Sequence, residues 1–185
     1  MTMIHPTAIV RTKHIGANTT IWQFVVVLED VRIGANCNIN GFVGLDNDVV
    51  IGDNVTIKSG TFIGSGVRIE DNVFVGPYVC FVNDRHPRSR VYPEHRPLIV
   101  LEKGCTIGAQ VIIGEGVRVG SYALVGAGST LTRDVPPFAL MAGRPARRVG
   151  WVDESGEPMV LEGEEWVAHD GRRFVVRNDR LVPRS

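Results

Sequence analysis

An apolar residue at every sixth position constrains this chain more than any other feature. From Ile9 the count lands on Ile15, Ile21, Val27, Ile33, Ile39, Leu45, Ile51, Ile57, Ile63, Ile69, Val75 and Phe81. It resumes at Leu101 and runs through Ile107, Ile113, Val119, Val125 and Leu131. Six residues advance an α-helix by about 600°, so successive marks would face different ways and no helix fits. A long strand fails too, because strict alternation would bury the third place of each hexad, which holds Ala17, Gln23, Glu29, Ala35, Gly41, Asn47 and Asp53. The strands are therefore short, with bends between them. The fifth place is small or β-branched, as at Val31, Cys37, Val43 and Thr61, and the second is repeatedly glycine, as at Gly16, Gly34, Gly52, Gly64 and Gly76. Glycine there is expected to supply corner angles that other residues resist. Such self-similarity marks a parallel β-helix, in which each rung leaves an apolar edge that only the next can cover.

The repeat, an aliphatic residue followed by glycine and then valine three places on, resembles the hexapeptide-repeat acyltransferases. That resemblance implies an all-β left-handed parallel β-helix, a triangular prism with three hexads to each coil. The expected prism covers residues 9–135 and is roughly 30 Å tall at about 4.8 Å per rung. Asp134-Val135-Pro136-Pro137 followed by Ala142-Gly143-Arg144-Pro145-Ala146-Arg147 resembles the family's terminal signature and closes a first domain at residues 1–151. Beyond it, strand-like stretches flank Asp170-Gly171, a two-residue hairpin signal, so residues 152–180 are read as a small β-hairpin appendage. Leu181-Val182-Pro183-Arg184-Ser185 resembles a protease-cleavage tag and is read as a tail.

Twenty Lys and Arg offset twenty Asp and Glu in 185 residues. No global field recruits nucleic acid or an anionic membrane, so partners follow from local sites. Cys37 and Cys105 fall on inward fifth places, and all three cysteines are read as free thiols. A cytoplasmic protein is expected, since no apolar run reaches spanning length and the N-terminus lacks a signal core. His5 is read as structural. Trp22, Gln23 and Phe24 interrupt a habit of small residues, marking either a subunit interface or a nucleotide-contacting patch.

The count breaks after Phe81. Residues 82–98 hold three prolines and a dense group of charged and histidine side chains, which must loop outward from the stack. Asn83-Asp84-x-x-Pro87-Arg88-Ser89 resembles the active loop of hexapeptide N-acetyltransferases that acylate the 3-amino group of nucleotide-linked sugars. What this implies is transfer from acetyl-CoA to a dTDP- or UDP-linked aminodeoxyhexose in surface-polysaccharide synthesis, by a homotrimer with sites between neighbouring prisms. Asn83 and Asp84 would orient the amine, with Arg85 and Arg88 meeting phosphate or sugar hydroxyls. By the same resemblance, pantetheine would lie along Gly108-Ala109 and Gly126-Ala127, and CoA phosphates would meet Arg144, Arg147 and Arg148. His86 is a candidate base. His86-Pro87 also resembles the catalytic dipeptide of maltose- and galactoside-type O-acetyltransferases, an alternative function. A γ-carbonic-anhydrase-like prism would need three histidines on the coils. Here His86 and His95 share the loop and His14 lies many rungs away, so no metal is assigned, and a non-catalytic scaffold is the remaining alternative.

Overall fold

The computed structural model describes residues 1–91 and 97–184, which form short strands joined by turns and bends. Three parallel sheets make the faces of a triangular β-helix of the left-handed hexapeptide type. The first face stacks Met3–Ile4, Thr20–Ile21, Asn38–Ile39, Thr56–Ile57, Phe74–Val75, Thr106–Ile107, Leu124–Val125 and Ala139–Gly143. The second stacks Ile9–Val10, Val26–Val27, Gly44–Leu45, Phe62–Ile63, Cys80–Phe81, Ile112–Ile113 and Thr130–Leu131. The third stacks Arg32–Ile33, Val50–Ile51, Val67–Ile69, Ile99–Leu101 and Arg118–Val119, extended by the bridges Ile15 to Ile33 and Val119 to Val135. Stacked partners such as Ile57 and Val75 lie three hexads apart. Val75 then meets Ile107 across a longer stretch of chain, whose surplus is the loop held outside the coil. The hexad marks form the dry core, with Ile21, Ile39, Ile57, Ile63, Ile107 and Ile113 all fully buried.

Both ends depart from the six-residue count. Ile9 pairs with Val26 and Val10 with Val27, so the first coil falls one short of three full hexads. Val10 therefore packs on the core while Ile9 is 54% exposed, and the six-residue count holds only from Ile15 onward. Thr12 closes the gap: its buried hydroxyl donates to the Val31 carbonyl at 2.6 Å. At the other end Val125 pairs with Met141 in a shortened coil, so the prism continues past residue 135. His5 sits near the open end, its Nδ1 2.9 Å from the Thr7 hydroxyl.

The glycines act differently from expectation. Left-handed backbone occurs at the fourth place of the hexad, at Asn18, Asn36, Asp48, Asn54 and Asn72 among others, where Asn and Asp tolerate it. The second-place glycines instead permit close stacking: a Cβ on Gly16 would lie 2.4 Å from the Ala35 nitrogen. Neighbouring coils are also clamped by carboxylates on the edge between the third and first faces. Asp53 accepts the Ala35 N–H and Asp71 the Asp53 N–H, both at 2.7 Å, and Glu70 accepts the Lys103 N–H at 2.9 Å. Cys37 and Cys105 are buried, and burial raises both thiols above their ordinary pKa, so neither is a ready nucleophile.

Ala139–Gly143 turns back into antiparallel Ala146–Trp151, and Trp151 is fully buried against the end of the core. The appendage is larger than the single hairpin expected. Val160–Glu162, Glu165–Val167, Arg173–Arg177 and Arg180–Pro183 form a four-stranded antiparallel sheet. Asp170-Gly171 does make the second turn of this sheet, where the Gly171 N–H donates to the Ala168 carbonyl at 2.9 Å. Leu181 and Val182, read from sequence as tail, pair with Val176 and Val175 in its last strand.

Candidate active site

The loop leaves the edge between the second and third faces, and stacking places a column of polar residues there. Cys80–Phe81 still pairs with Ile112–Ile113, and the Val82 N–H still donates to the Ile113 carbonyl at 2.9 Å. Asn83 and Asp84 are thus the first residues beyond the ordered rung, and both are half-buried. The Asn83 amide lies over Gly64, so closely that a Cβ at position 64 would be 2.7 Å from its nitrogen. Beside Gly64, the Ser65 hydroxyl donates to Asp46 Oδ2 at 3.1 Å, and Asp46 Oδ1 accepts the Asn47 N–H at 2.8 Å. One coil above Asn83, Glu115 Oε2 stands 4.0 Å from Arg85 Nε. Val82, Arg85, Gly114, Glu115 and Thr132 line a cavity of about 210 Å³.

The predicted loop residues divide within this column. Asp84 Oδ1 accepts the His86 N–H at 2.9 Å, a local turn that shapes the loop and leaves the second carboxylate oxygen for another partner. The His86 side chain is exposed, and no hydrogen bond orients its ring among the described residues. Arg88 is also exposed and donates to the carbonyl of its neighbour Pro87 at 2.9 Å, a contact within the loop. His95 lies outside the described residues. Among those described, no three His, Cys, Asp or Glu side chains are grouped to hold a metal.

The predicted pantetheine residues lie on another edge, between the first and second faces. Here a Cβ on Gly76 would sit 2.7 Å from the Ala109 nitrogen, and one on Gly108 2.6 Å from the Ala127 nitrogen. At Gly76, Gly108-Ala109 and Gly126-Ala127 the edge presents backbone and nothing beyond a methyl, which fits a ligand arm carrying amides, with Tyr78 and Gln110 two places on in the same turns. Arg144 caps it by donating to the Gly128 carbonyl. Arg147 and Arg148 instead line a cavity of about 300 Å³ with Thr132, Arg133, Asp134 and Asp179. Arg148 pairs with Asp179 of the terminal sheet and lies 4.4 Å over the Trp151 ring. Arg147 and Arg148 thus share one cavity, with Asp179 of the terminal sheet pairing Arg148, while Arg144 stands apart on the glycine edge.

Within one chain the Asn83 column and the Gly108–Ala127 groove occupy opposite edges of the second face. A side of six residues spans up to about 20 Å, so the two halves do not meet in one protomer. The face between them carries exposed Ile9, Val26, Phe62, Cys80 and Ile112, with Phe24, Phe42 and Tyr78 along its margin. Trp22 is held by its indole N–H, which donates to Asn38 Oδ1 at 2.7 Å.

Asp46, Ser65 and Glu115 escaped the sequence reading. Their signal is register: Ser65 precedes Asn83 by one coil of three hexads, and Glu115 follows it by a coil plus the loop excursion.

Comparison with known proteins agrees with this architecture. The profile of the bacterial transferase hexapeptide family (six repeats) matches residues 12–47, 48–83 and 99–133. A dTDP-3-amino-3,6-dideoxy-alpha-D-galactopyranose 3-N-acetyltransferase of Aneurinibacillus thermoaerophilus is 50% identical over 171 residues, spanning 92% of this chain and 89% of the relative. Among solved structures, GDP-perosamine N-acetyltransferase from Caulobacter crescentus, in complex with CoA and GDP-perosamine, superposes with a TM-score of 0.61 at 23% identity, covering 81% of this chain and 57% of that one. AntD, an N-acyltransferase from Bacillus cereus in complex with dTDP and coenzyme A, superposes with a TM-score of 0.53 at 20% identity, covering 82% and 81%. These two share the fold. The repeat profile and the relative aligned along almost the whole of both chains place this protein in the bacterial hexapeptide transferase family.

Proposed function

We propose that this enzyme transfers the acetyl group of acetyl-CoA to the 3-amino group of a dTDP- or UDP-linked aminodeoxyhexose, in the cytoplasm, for a surface polysaccharide. The observation that carries this reading is the half-buried Asn83-Asp84 pair at the root of the loop, in a chain 50% identical to a dTDP-3-amino-sugar N-acetyltransferase. A neutral amine needs acceptors that hold its N–H groups and aim its lone pair. The Asn83 amide oxygen and the second carboxylate oxygen of Asp84 supply them. Acetyl-CoA supplies the activated acyl group, and the bare backbone at Gly108-Ala109 and Gly126-Ala127 suits its pantetheine amides. Arg144 and Arg147 are the candidates to meet its phosphates.

The working molecule is a homotrimer. Burying the apolar second face between copies brings the Asn83 edge of one prism to the glycine edge of the next, completing a site that one chain holds in halves. An exposed His86 whose ring no hydrogen bond orients among the described residues is a poor base for a hydroxyl, which favours the amine as acceptor. Thiol release from acetyl-CoA, measured against dTDP- and UDP-linked 3-amino sugars and against maltose, tests the reading. Turnover of the amines is expected; turnover of maltose alone would overturn it.

A further inference from the structure

Ser65 has one hydroxyl proton, and the structure assigns its direction. Asp46 Oδ2 takes that proton at 3.1 Å, while Asp46 Oδ1 is held by the Asn47 N–H at 2.8 Å. The carboxylate is fixed from both sides, so the lone pairs of the Ser65 oxygen are left to accept a hydrogen bond. Gly64 and Gly66 flank Ser65, whose half-buried side chain lies on the rung beneath Asn83. Elsewhere on the prism, carboxylates clamp coils by accepting backbone N–H groups directly, as Asp53 and Asp71 do. Glu102 does take the Ser121 hydroxyl at 3.0 Å, but it also takes the Ser121 N–H and pairs with Arg118, so there the hydroxyl accompanies a backbone clamp. Among the described residues Asp46 takes no N–H from the next coil and meets it through the Ser65 hydroxyl alone.

We propose that Ser65 selects the acceptor by accepting a hydrogen bond from the sugar hydroxyl next to the reacting amine, with Asp46 as the positioning residue that points it. The proposal rests on the amino-sugar reading above. A 3-amino hexose carries hydroxyls on C2 and C4, each vicinal to the nitrogen. Ser65 lies one rung, about 4.8 Å, below the residue that holds that nitrogen. A vicinal hydroxyl directed down the column reaches Ser65, and its epimer directed elsewhere does not. The pair would thus separate sugars that differ only in the presence or orientation of that hydroxyl. A site built to pair with a hydroxyl also rejects the analogue lacking it, since the acceptor oxygen is then left unpartnered.

The test is steady-state kinetics of the full-length enzyme with nucleotide-linked 3-amino sugars and their 2-deoxy and 4-deoxy analogues. Ser65→Ala should lower kcat/KM for the acceptor about 5- to 10-fold, leave KM for acetyl-CoA unchanged, and have no effect on one of the two deoxy analogues. Ser65→Thr, which keeps the hydroxyl, should restore most of the loss. Asp46→Asn should reproduce the Ser65→Ala defect, and the double variant should be no worse than either alone. An unchanged acceptor kcat/KM in Ser65→Ala would overturn the proposal, as would equal losses on both deoxy analogues. A loss that appears only as a lower thermal midpoint would make the pair a coil clamp and overturn it too. Wild-type enzyme that turns over no amino sugar at all would instead remove the parent reading, and this one with it.

Discussion

Replacing Gly64 with alanine should disable the site while leaving the prism intact. The added methyl would stand 2.7 Å from Asn83 Nδ2 and 3.5 Å from its Cγ, with the Asn83 Cβ at 3.9 Å. Ordinary contact begins at about 3.5 Å, so the amide must retreat by roughly 0.8 Å. It can do so by side-chain rotation, because the obstructing group is the end of a flexible side chain. Gly64 has no left-handed backbone angle, so alanine meets no conformational strain there, and the loss of unfolded-chain freedom even favours the fold slightly. A displacement approaching 1 Å in a group that orients a reactant costs on the order of 100-fold in rate. We expect Gly64→Ala to lower kcat/KM for the amino sugar by about that factor, with KM for acetyl-CoA and the thermal midpoint nearly unchanged. Combining it with Asn83→Ala should add nothing to the loss from Asn83→Ala alone, since both act through one side chain. Activity within threefold of wild type would refute the placement of Asn83. Gly108→Ala is the contrasting case, because its methyl would meet the Ala127 backbone nitrogen at 2.6 Å and could be relieved only by parting two coils.

Asn83→Ala and Asp84→Ala should each reduce turnover far more than His86→Ala, and a loss of about 10² to 10⁴ on His86→Ala would establish that ring as the base. Arg147→Ala should weaken CoA binding by about 1.5 to 3 kcal/mol in calorimetry, and equal affinity for CoA and dephospho-CoA would rule out a 3′-phosphate contact. Arg148→Ala should loosen the terminal sheet, seen as faster proteolysis after residue 152, and leave CoA affinity alone. At Glu102 burial favours the neutral form, but hydrogen bonds from Arg118 and Ser121 outweigh it and hold the carboxyl below its ordinary range. Its stabilisation is therefore complete above the ordinary glutamate pKa and is lost as pH falls through the lowered one. Thermal melts should show Glu102→Gln less stable than wild type at neutral pH, with the difference closing under acid.

The core was legible in the sequence because each inward residue repeats locally, six places from the last. Ile9 misled for a physical reason: it and Val10 are both aliphatic, and the choice between them is made by Thr12 bonding to Val31, a coil away. The loop motif at Asn83-Asp84 was legible as contiguous sequence. Asp46 and Ser65 were not, since only stacking sets them beneath Asn83. The three arginines look like one cluster in sequence, yet Asp179 claims Arg148 from a terminal sheet whose extent the Asp170-Gly171 turn understates.

The loop excursion leaves no trace in the pairing on either side of it: Phe74 meets Thr106 and Cys80 meets Ile112 as if the chain had never left. It hangs from the stack like a tool from a rack, and the entropic cost of closing such a loop rises only slowly with its length. The loop beyond Asn83-Asp84 can therefore be exchanged without re-solving the core, moving Asp46 and Ser65 on the coils, or disturbing the groove on the far edge.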